Sequence, residues 1–193
     1  MSLTFPTGAD PRPAQNGFTV IELMVTVAVA AILVAIAVPA FNSFVLNDRD
    51  ISQINSLVAS FNYARSEAIK QNLRIGVAVC PSSNGNTCSG TAAWSGGWIV
   101  LNQDPRLAGT PQAVIQAVPA LAGGNTVTAT LSGANGIVFQ YNGGLASSQA
   151  LAIKICDPRG SAFAREVEVN ATGKVAATQT PGQQVSGAPL TCP

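Results

Sequence analysis

Few side chains of this chain are suited to catalysis, because its 193 residues contain no histidine. Without histidine, Ser-His and Cys-His nucleophile pairs and histidine metal sites are excluded. Two carboxylates, Glu166 and Glu168, are the nearest approach to an acid–base pair. They are two residues apart in a predicted strand, so they share one face, and a solvated strand face is the simpler interpretation. No phosphate-binding loop or nucleotide fingerprint is present, and we expect no catalytic residue, cofactor or metal.

The composition points towards a membrane and away from a large nucleic-acid surface. Of the residues, 47% are hydrophobic and only 10% are charged, whereas soluble domains carry about 25% charged residues. The formal net charge of +1 excludes a broad basic surface of the kind used in nonspecific nucleic-acid binding. A small local basic site stays possible.

The apolar residues are concentrated near the N-terminus. From Phe18 to Phe41 the chain has a single charged residue, Glu22. As a helix this segment is roughly 36 Å long, enough to cross a hydrocarbon core of about 30 Å. A secretory signal peptide starts with basic residues and has its cleavage site after a short apolar run. Here a polar, proline-rich segment, residues 1–17, precedes the apolar residues instead. We therefore predict a membrane-spanning helix over residues 18–41.

The helix is predicted to continue beyond the apolar segment, from Thr19 to about Gln71. Pro39 lies near the end of the apolar residues and is expected to kink or loosen the helix. Residues 42–72 are predicted to be amphipathic and to pack one stripe against a globular domain. This stripe consists of Ile51, Ile54, Val58, Phe61, Ala64 and Ala68, while Asp48, Arg49, Asp50, Arg65 and Lys70 are expected on other faces.

After Asn72 the hydrophobic period changes to two, which indicates strands separated by turns rich in Gly, Pro, Asn and Ser. Seven short strands are predicted, over residues 73–79, 98–101, 113–118, 126–131, 136–141, 151–156 and 166–169. Residues 73–193 therefore form an antiparallel sheet or two-sheet domain, and the chain belongs to the α+β class. The low charge of these strands is compatible either with ordinary core packing or with surfaces that neighbouring subunits cover.

The residues at the head of the apolar segment form an ordered motif. Residues 17–24 read Gly-Phe-Thr-Val-Ile-Glu-Leu-Met, and this run resembles the class III signature of type IV prepilins. The resemblance implies that prepilin peptidase removes residues 1–17 as a leader by cutting after Gly17, and then methylates the amine of Phe18. This leader departs from the family pattern because it is long and has only one basic residue, which puts the true start codon in doubt.

Two residues of the helix are expected to act in assembly. A carboxylate one turn into an apolar helix is costly in lipid, so Glu22 needs a partner. The amine of Phe18 in a neighbouring subunit is the natural cation for it. The alternative is that Glu22 lies at the depth of the lipid headgroups. Pro39 matches a proline that pilin helices commonly carry.

Four further motifs appear in order along the rest of the chain, and they resemble those of the GspH/FimT family of minor pilins and pseudopilins. They are Arg65–Asn72, Val79–Ser82, Trp94 with Gly97–Val100, and Cys156–Gly160. The resemblance implies a type IV pilin-like fold, in which one long N-terminal helix packs on the β domain. For Trp94 and Trp98, packing in the hydrophobic core is the simpler interpretation.

The resemblance also implies a structural function. The subunit would wait in the inner membrane with its N-terminus in the cytoplasm and its C-terminal domain in the periplasm. It would then enter a type IV pilus, or the pseudopilus of type II secretion, at or near the tip, and prime assembly. Its partners would be prepilin peptidase, other minor pilins or pseudopilins, the major pilin, the assembly platform and membrane lipid. The neutral, disulfide-bonded domain favours the pilus over the pseudopilus.

Four cysteines follow the predicted span, at Cys80, Cys88, Cys156 and Cys192. None lies in a C-x-x-C pair, so a structural zinc site is not indicated. In an oxidising periplasm disulfides are expected, although free structural thiols are the alternative. Of the three possible connectivities, we favour Cys80 with Cys88, which closes a Gly- and Asn-rich loop, and Cys156 with Cys192, which pins the C-terminal tail.

The alternative function is a DNA-binding minor pilin that acts in natural transformation. Some family members that bind DNA carry a Gly-Arg-x-Arg motif near the C-terminus, where guanidinium groups contact phosphates. The corresponding residues here, 173–176, read Gly-Lys-Val-Ala and hold one positive charge. The candidate DNA contacts are Lys174, Arg159 and Arg165, with Lys154 nearby in sequence. Three carboxylates, Asp157, Glu166 and Glu168, lie among these four basic residues and leave a net charge of +1.

Overall fold

The structure is a computed structural model, and it describes residues 17–72, 76–102, 113–129, 136–147 and 149–192. The chain divides into two units, Met1–Ser43 and Phe44–Pro193. One helix, α1 (Val20–Gln71), belongs to both units, and every other helix or strand of the described residues lies in the second. This is the α+β class that the sequence predicts.

The ends of α1 follow from local chemistry. Thr19 precedes the helix, and its Oγ1 accepts a hydrogen bond of 3.2 Å from the backbone N–H of Glu22. This Thr-x-x-Glu arrangement satisfies one of the N–H groups that a helix start leaves unpaired. At the other end Asn72 has a positive φ of 49°, a left-handed conformation that commonly ends helices and that asparagine tolerates.

Eight short strands follow α1 in the described residues. They are β1 (Val77–Pro81), β2 (Trp98–Leu101), β3 (Val114–Val118), β4 (Thr126–Ala129), β5 (Ile137–Phe139), β6 (Leu151–Cys156), β7 (Arg165–Val169) and β8 (Val175–Ala177). All pairings are antiparallel, and they build two four-stranded sheets. Sheet A has the order β3-β2-β1-β5, and sheet B has the order β4-β6-β7-β8. Two short 3-10 helices, η1 (Trp94–Gly96) and η2 (Ser161–Phe163), lie in the connections.

The largest hydrophobic cluster joins the second half of α1 to both sheets. Leu57 and Phe61 from the helix are fully buried together with residues of β2, β5, β6 and β7. The two tryptophans belong to this cluster, as predicted. The indole N–H of Trp98 donates to Ser60 Oγ at 2.9 Å, and Trp94 packs edge to face against Phe61 with ring centroids 6.1 Å apart. Aromatic pairs favour this geometry.

The buried stripe of α1 differs from the predicted stripe at its N-terminal end. Ile51 was expected to be buried and is 40% exposed, whereas Asp50, expected on another face, is 3% exposed. Gln53 and Leu57 are also buried. The observed stripe is therefore rotated by one residue, about 100°, at this end. The physical reason is that Asp50 and Gln53 find polar partners elsewhere in the domain, so a polar pair can replace an apolar contact.

The seven predicted strands correspond to β1–β7, with three points to add. Residues 73–75 and 130–131 of two predicted strands lie outside the described residues. Strand β8 was not predicted. Glu166 was expected on a solvated face and is 6% exposed, because the C-terminal tail lies over it and Val185 N donates to its Oε1 at 3.1 Å.

Candidate functional site

The apolar segment, residues 18–41, is the candidate site of membrane insertion and assembly. All of its residues are exposed within the chain, and its large side chains include Phe18 at 80% and Ile36 at 68% exposure. Its most apolar window has a mean hydropathy of 2.7 and none of that window is buried. Apolar surface of this extent is unfavourable in water. The helix is long and apolar enough to cross a membrane.

The predicted cleavage site lies just before this helix. Gly17 and Phe18 precede the first helical residue, Val20, and both are exposed. Among the residues that the structure describes, nothing apart from its chain neighbours lies within 4 Å of a Cβ placed at Gly17. The peptide bond between Gly17 and Phe18 therefore joins two exposed residues that lie before the helix.

Glu22 lies in the first turn of α1 and is exposed. Its backbone N–H is satisfied by Thr19, as described above, but its carboxylate forms no ion pair with any residue that the structure describes. A carboxylate surrounded by apolar neighbours favours a cationic partner from outside the chain when water is removed.

Pro39 lies inside α1, and the helix continues through it. Proline has no N–H, so the carbonyl of Ala35, four residues earlier, loses its helical hydrogen bond. Ser43 Oγ donates to the carbonyl of Pro39 at 3.3 Å. Pro39 is therefore a weakened point in an exposed part of the helix.

The second unit contains a buried polar cluster, which we define as Asn47, Asp50, Gln53, Asn125, Asp157 and Arg159. Its centre is the guanidinium of Arg159, in the loop after β6. Arg159 Nη2 lies 2.5 Å from Asp157 Oδ2 and 3.2 Å from Asp50 Oδ2. Its Nη1 donates to Asn47 Oδ1 at 2.9 Å, and its Cζ lies 4.1 Å from the ring centroid of Phe163. One cation thus neutralises two buried carboxylates.

Asparagine and glutamine side chains extend the polar cluster to the start of β4. Asn125 Nδ2 donates to Asp50 Oδ1 at 2.8 Å and to Gln53 Oε1 at 2.7 Å. Gln53 Nε2 in turn donates to the carbonyl of Ala122 at 2.9 Å. Burial raises the pKa of Asp50, and the nearby carboxylate of Asp157 raises it further. The hydrogen bond from Asn125 and the charge of Arg159 act in the opposite direction, but the net shift is upward. The cluster fastens α1 to two loops of the domain.

The four cysteines form two disulfides, Cys80 with Cys88 and Cys156 with Cys192. This is the connectivity that the sequence favours. The second bond joins the end of β6 to the C-terminal tail, which hydrogen bonds also hold. Cys192 N donates to Ser161 Oγ at 2.9 Å, and Lys154 Nζ donates to the carbonyl of Thr191. The tail is therefore an ordered part of the domain.

The candidate DNA-contact residues have different surroundings. Lys174 is exposed beside Glu168 and Asn170, which line the same cavity of about 160 Å³. Arg159 is committed to the polar cluster, with 16% of its side chain exposed. Arg165 is half-buried on β7. Of these three residues, only Lys174 is exposed.

Sequence reasoning missed the polar cluster. The sequence patterns assign its members to other helix faces, to a possible phosphate contact or to no role. The contacts could not be foreseen because the partners are far apart in sequence: Arg159 is 109 residues from Asp50, and Asn125 is 75 residues from Asp50. The one signal in the sequence was that Asp50 and Gln53 lie next to the first residues of the predicted apolar stripe of α1, where two polar side chains are buried in the structure. Among the described residues, no group of three or more His, Cys, Asp or Glu side chains could hold a metal ion.

Comparison with known proteins gives two family matches. The model of "Type II transport protein GspH" matches residues 53–173, and the "Prokaryotic N-terminal methylation motif" matches residues 12–38. The second match includes the Gly17–Phe18 bond and Glu22. Together the two matches cover both the predicted leader junction and most of the β domain.

Two solved structures share the fold. Both are crystal structures of the type IV minor pilin FimU from Pseudomonas aeruginosa strain PAO1, in different space groups. The first is 20% identical, with a TM-score of 0.53, over 73% of this chain and 98% of the other. The second is 21% identical, with a TM-score of 0.53, over 71% of this chain and 98% of the other. The arrangement of one long helix on two antiparallel sheets is thus a type IV pilin fold.

Proposed function

Because the chain belongs to the GspH family and has the role of a minor pilin or pseudopilin, we propose that it enters a pilus-type filament at or near the tip and primes its assembly. The observation that carries this proposal is the apolar segment, which is exposed along its whole length and most of which lies within the match to the N-terminal methylation motif. Such a surface needs lipid before assembly and the helices of other subunits afterwards.

The first step of the proposed pathway is processing. Prepilin peptidase cuts between Gly17 and Phe18 and methylates the new amine of Phe18. The exposed, non-helical position of this bond supports the proposal. Residues 1–17 are then absent from the mature chain, and Phe18 becomes its first residue.

The second step is registration in the filament. The amine of Phe18 on an incoming subunit neutralises Glu22 of a neighbour, which removes the cost of a bare carboxylate in an apolar environment. The absence of an ion pair to Glu22 within the described residues supports a partner from another chain. Pro39 lets the helix adjust as it packs among other helices.

The membrane topology follows from the same scheme. Before assembly the subunit crosses the inner membrane once, over residues 18–41, with its N-terminus in the cytoplasm. Residues 73–193 lie in the periplasm, where an oxidising environment supports the two disulfides. Its partners are prepilin peptidase, the other minor subunits, the major subunit and the assembly platform, and its function is structural and not enzymatic. The machine is a type IV pilus or a type II secretion pseudopilus, and the disulfides and neutral domain favour the pilus.

The test is mass spectrometry of the chain from membranes of cells with and without prepilin peptidase. Three forms are compared: wild type, Gly17→Ala, and Gly8→Ala as a control that changes the other leader glycine. We expect wild type and Gly8→Ala to begin at N-methylated Phe18 only when the peptidase is present. We expect Gly17→Ala to stay uncut. An uncut wild-type chain in the presence of the peptidase would show that the apolar segment is only an anchor and would overturn the proposal.

A further inference from the structure

The second unit begins very close to the predicted membrane span. Phe44 is its first residue, and only residues 42 and 43 separate Phe44 from Phe41, the last residue of the span. Even a fully extended chain covers at most about 11 Å over this distance. When the apolar segment crosses a bilayer, the part of the domain around Phe44 is therefore held at the membrane surface.

Two loops of the domain pack beside α1 in this part. Arg159 Nη1 donates to Asn47 Oδ1 at 2.9 Å, which places the loop after β6 against the helix. Gln53 Nε2 donates to the carbonyl of Ala122 at 2.9 Å, which brings the loop between β3 and β4 to the same end of the domain. We define the span-side face as residues 44–50, 119–125 and 157–163, all of which the structure describes.

Two phenylalanine rings are exposed on the span-side face. Phe44 is 60% exposed, and Phe163 in η2 is 38% exposed. The Cζ of Arg159 lies 4.1 Å from the centroid of the Phe163 ring. Asn47, which accepts a hydrogen bond from the same guanidinium, is three residues after Phe44 and is its neighbour on the helix surface. The two rings therefore belong to one surface, and exposed apolar groups that share a surface indicate contact with something other than water.

The charges of the span-side face are largely neutralised. Arg159 pairs with Asp50 and Asp157 within the polar cluster, and Arg49 is half-buried. Asp48 is the one exposed charged residue of the three segments, and residues 119–125 contain no charge. A surface without excess positive charge gains little from anionic lipids, so its apolar side chains must supply any attachment to a bilayer.

The opposite end of the domain offers a comparison. Arg65 lies about 27 Å further along α1 than Asn47, and its Nε donates to the carbonyl of Gly143 at 3.0 Å. Tyr141, two residues before Gly143, is 50% exposed. This ring has a similar exposure to those of the span-side face but lies far from them.

We propose that, before assembly, the span-side face lies on the membrane surface with Phe44 and Phe163 inserted at the level of the lipid headgroups. The inference rests on the proposed function, because it requires residues 18–41 to span the bilayer. Apolar side chains on an interfacial surface are buried at the boundary between headgroups and acyl chains. The guanidinium of Arg159 holds the Phe163 ring in place by a cation–π contact. Lipid is the favoured partner, because the short link keeps this face beside the bilayer. The contact orients the waiting subunit relative to the membrane plane.

The test adds one tryptophan at a time to the processed chain in phosphatidylcholine vesicles, with and without lipids brominated near the top of the acyl chains. Phe163→Trp probes the span-side face, Tyr141→Trp is the matched control, and Ile36→Trp reports insertion of the span. Wild type supplies the background, since Trp94 and Trp98 are buried in the core. Bromine quenches only nearby rings, so the added emission of Phe163→Trp should be quenched at least about threefold more than that of Tyr141→Trp.

Ala162→Trp is a second probe, because Ala162 is exposed beside Phe163, and its emission should be quenched as that of Phe163→Trp is. Urea denaturation shows which variants are folded. Quenching of Ile36→Trp, with no more quenching at positions 162 and 163 than at 141, would overturn the membrane contact and leave the span intact. A blue shift of Phe163→Trp in vesicles without quenching would show that a second copy covers this face, and would overturn the choice of partner. Ile36→Trp without quenching would overturn both the contact and the membrane step of the proposed function.

Discussion

The two units of this chain satisfy their side chains in different ways. Among residues 17–43 no side chain is buried, whereas residues 50–190 contain every buried residue of the described chain. The first unit therefore depends on lipid or other helices, and the second depends on its own contacts. From this difference we expect substitutions in the domain to change its stability and substitutions in the apolar segment to change assembly. Neither kind of substitution should have much effect on the other property.

The largest effect is expected from Arg159→Ala in the domain. This change leaves Asp50 and Asp157 buried near each other without their cation, and breaking a buried charge pair in this way costs about 3–5 kcal/mol. The free energy of unfolding, measured by urea denaturation of the processed chain in detergent, should fall by that amount. Cleavage after Gly17 should be unchanged, and a loss of cleavage in a folded Arg159→Ala chain would break the proposed separation of the units.

The next effect is expected from Glu22→Gln in the apolar segment. The amide keeps the shape of the side chain but loses the charge that we propose pairs with the amine of Phe18 on a neighbouring subunit. Incorporation into filaments, measured by immunoblotting of sheared filament fractions, should fall about tenfold, which corresponds to about 1.4 kcal/mol. The urea denaturation of the domain should match wild type. Normal incorporation would contradict the assembly role of Glu22, and Thr26→Val, one turn further along, is the matched control.

These two regions also differ in how far the sequence predicts them. The apolar segment is predictable because its environment dictates its composition, and its motif lies within eight consecutive residues. The α+β fold follows from the change of hydrophobic period after Asn72, and the family resemblance supplied the pilin-like arrangement. The polar cluster was not predictable, because the partners of Asp50 are Asn125 and Arg159, far away in sequence. Strand β8 has only three residues, too few to show a period.

A smaller effect is expected from pH. Burial raises the pKa of Asp50 in the folded domain, with Asp157 adding to the shift and Asn125 and Arg159 opposing it. The unfolded chain therefore releases this proton at a lower pH than the native chain, and the native state binds more protons at pH values above the ordinary aspartate pKa of 3.8. Under these conditions the contribution of Asp50 to stability is largest at acid pH and decreases as the pH rises through the folded pKa.

Asp50→Asn isolates this contribution, because asparagine does not titrate. The free energy of unfolding of wild type and of Asp50→Asn is measured by urea denaturation between pH 3.5 and 7. As the pH increases, the value for wild type should fall relative to the value for Asp50→Asn. Ser52→Ala, on the exposed side of the same helix, should show no pH-dependent difference from wild type. If wild type instead becomes more stable relative to Asp50→Asn as the pH increases, the charge of Arg159 would have a larger effect on the pKa of Asp50 than burial has.

The smallest effect is expected from Lys174→Ala, which tests whether the domain has a second function in DNA binding. Lys174 is exposed and Glu168 lies beside it, while the charge of Arg159 is neutralised within the polar cluster. A single lysine releases few counterions, so binding to DNA should be negligible even in low salt. We expect no mobility shift of duplex DNA with wild type or Lys174→Ala at low ionic strength, and unfolding free energies within about 0.5 kcal/mol of each other. A salt-sensitive shift with wild type that Lys174→Ala abolishes would instead show that the domain binds nucleic acid, and that its role extends beyond filament structure.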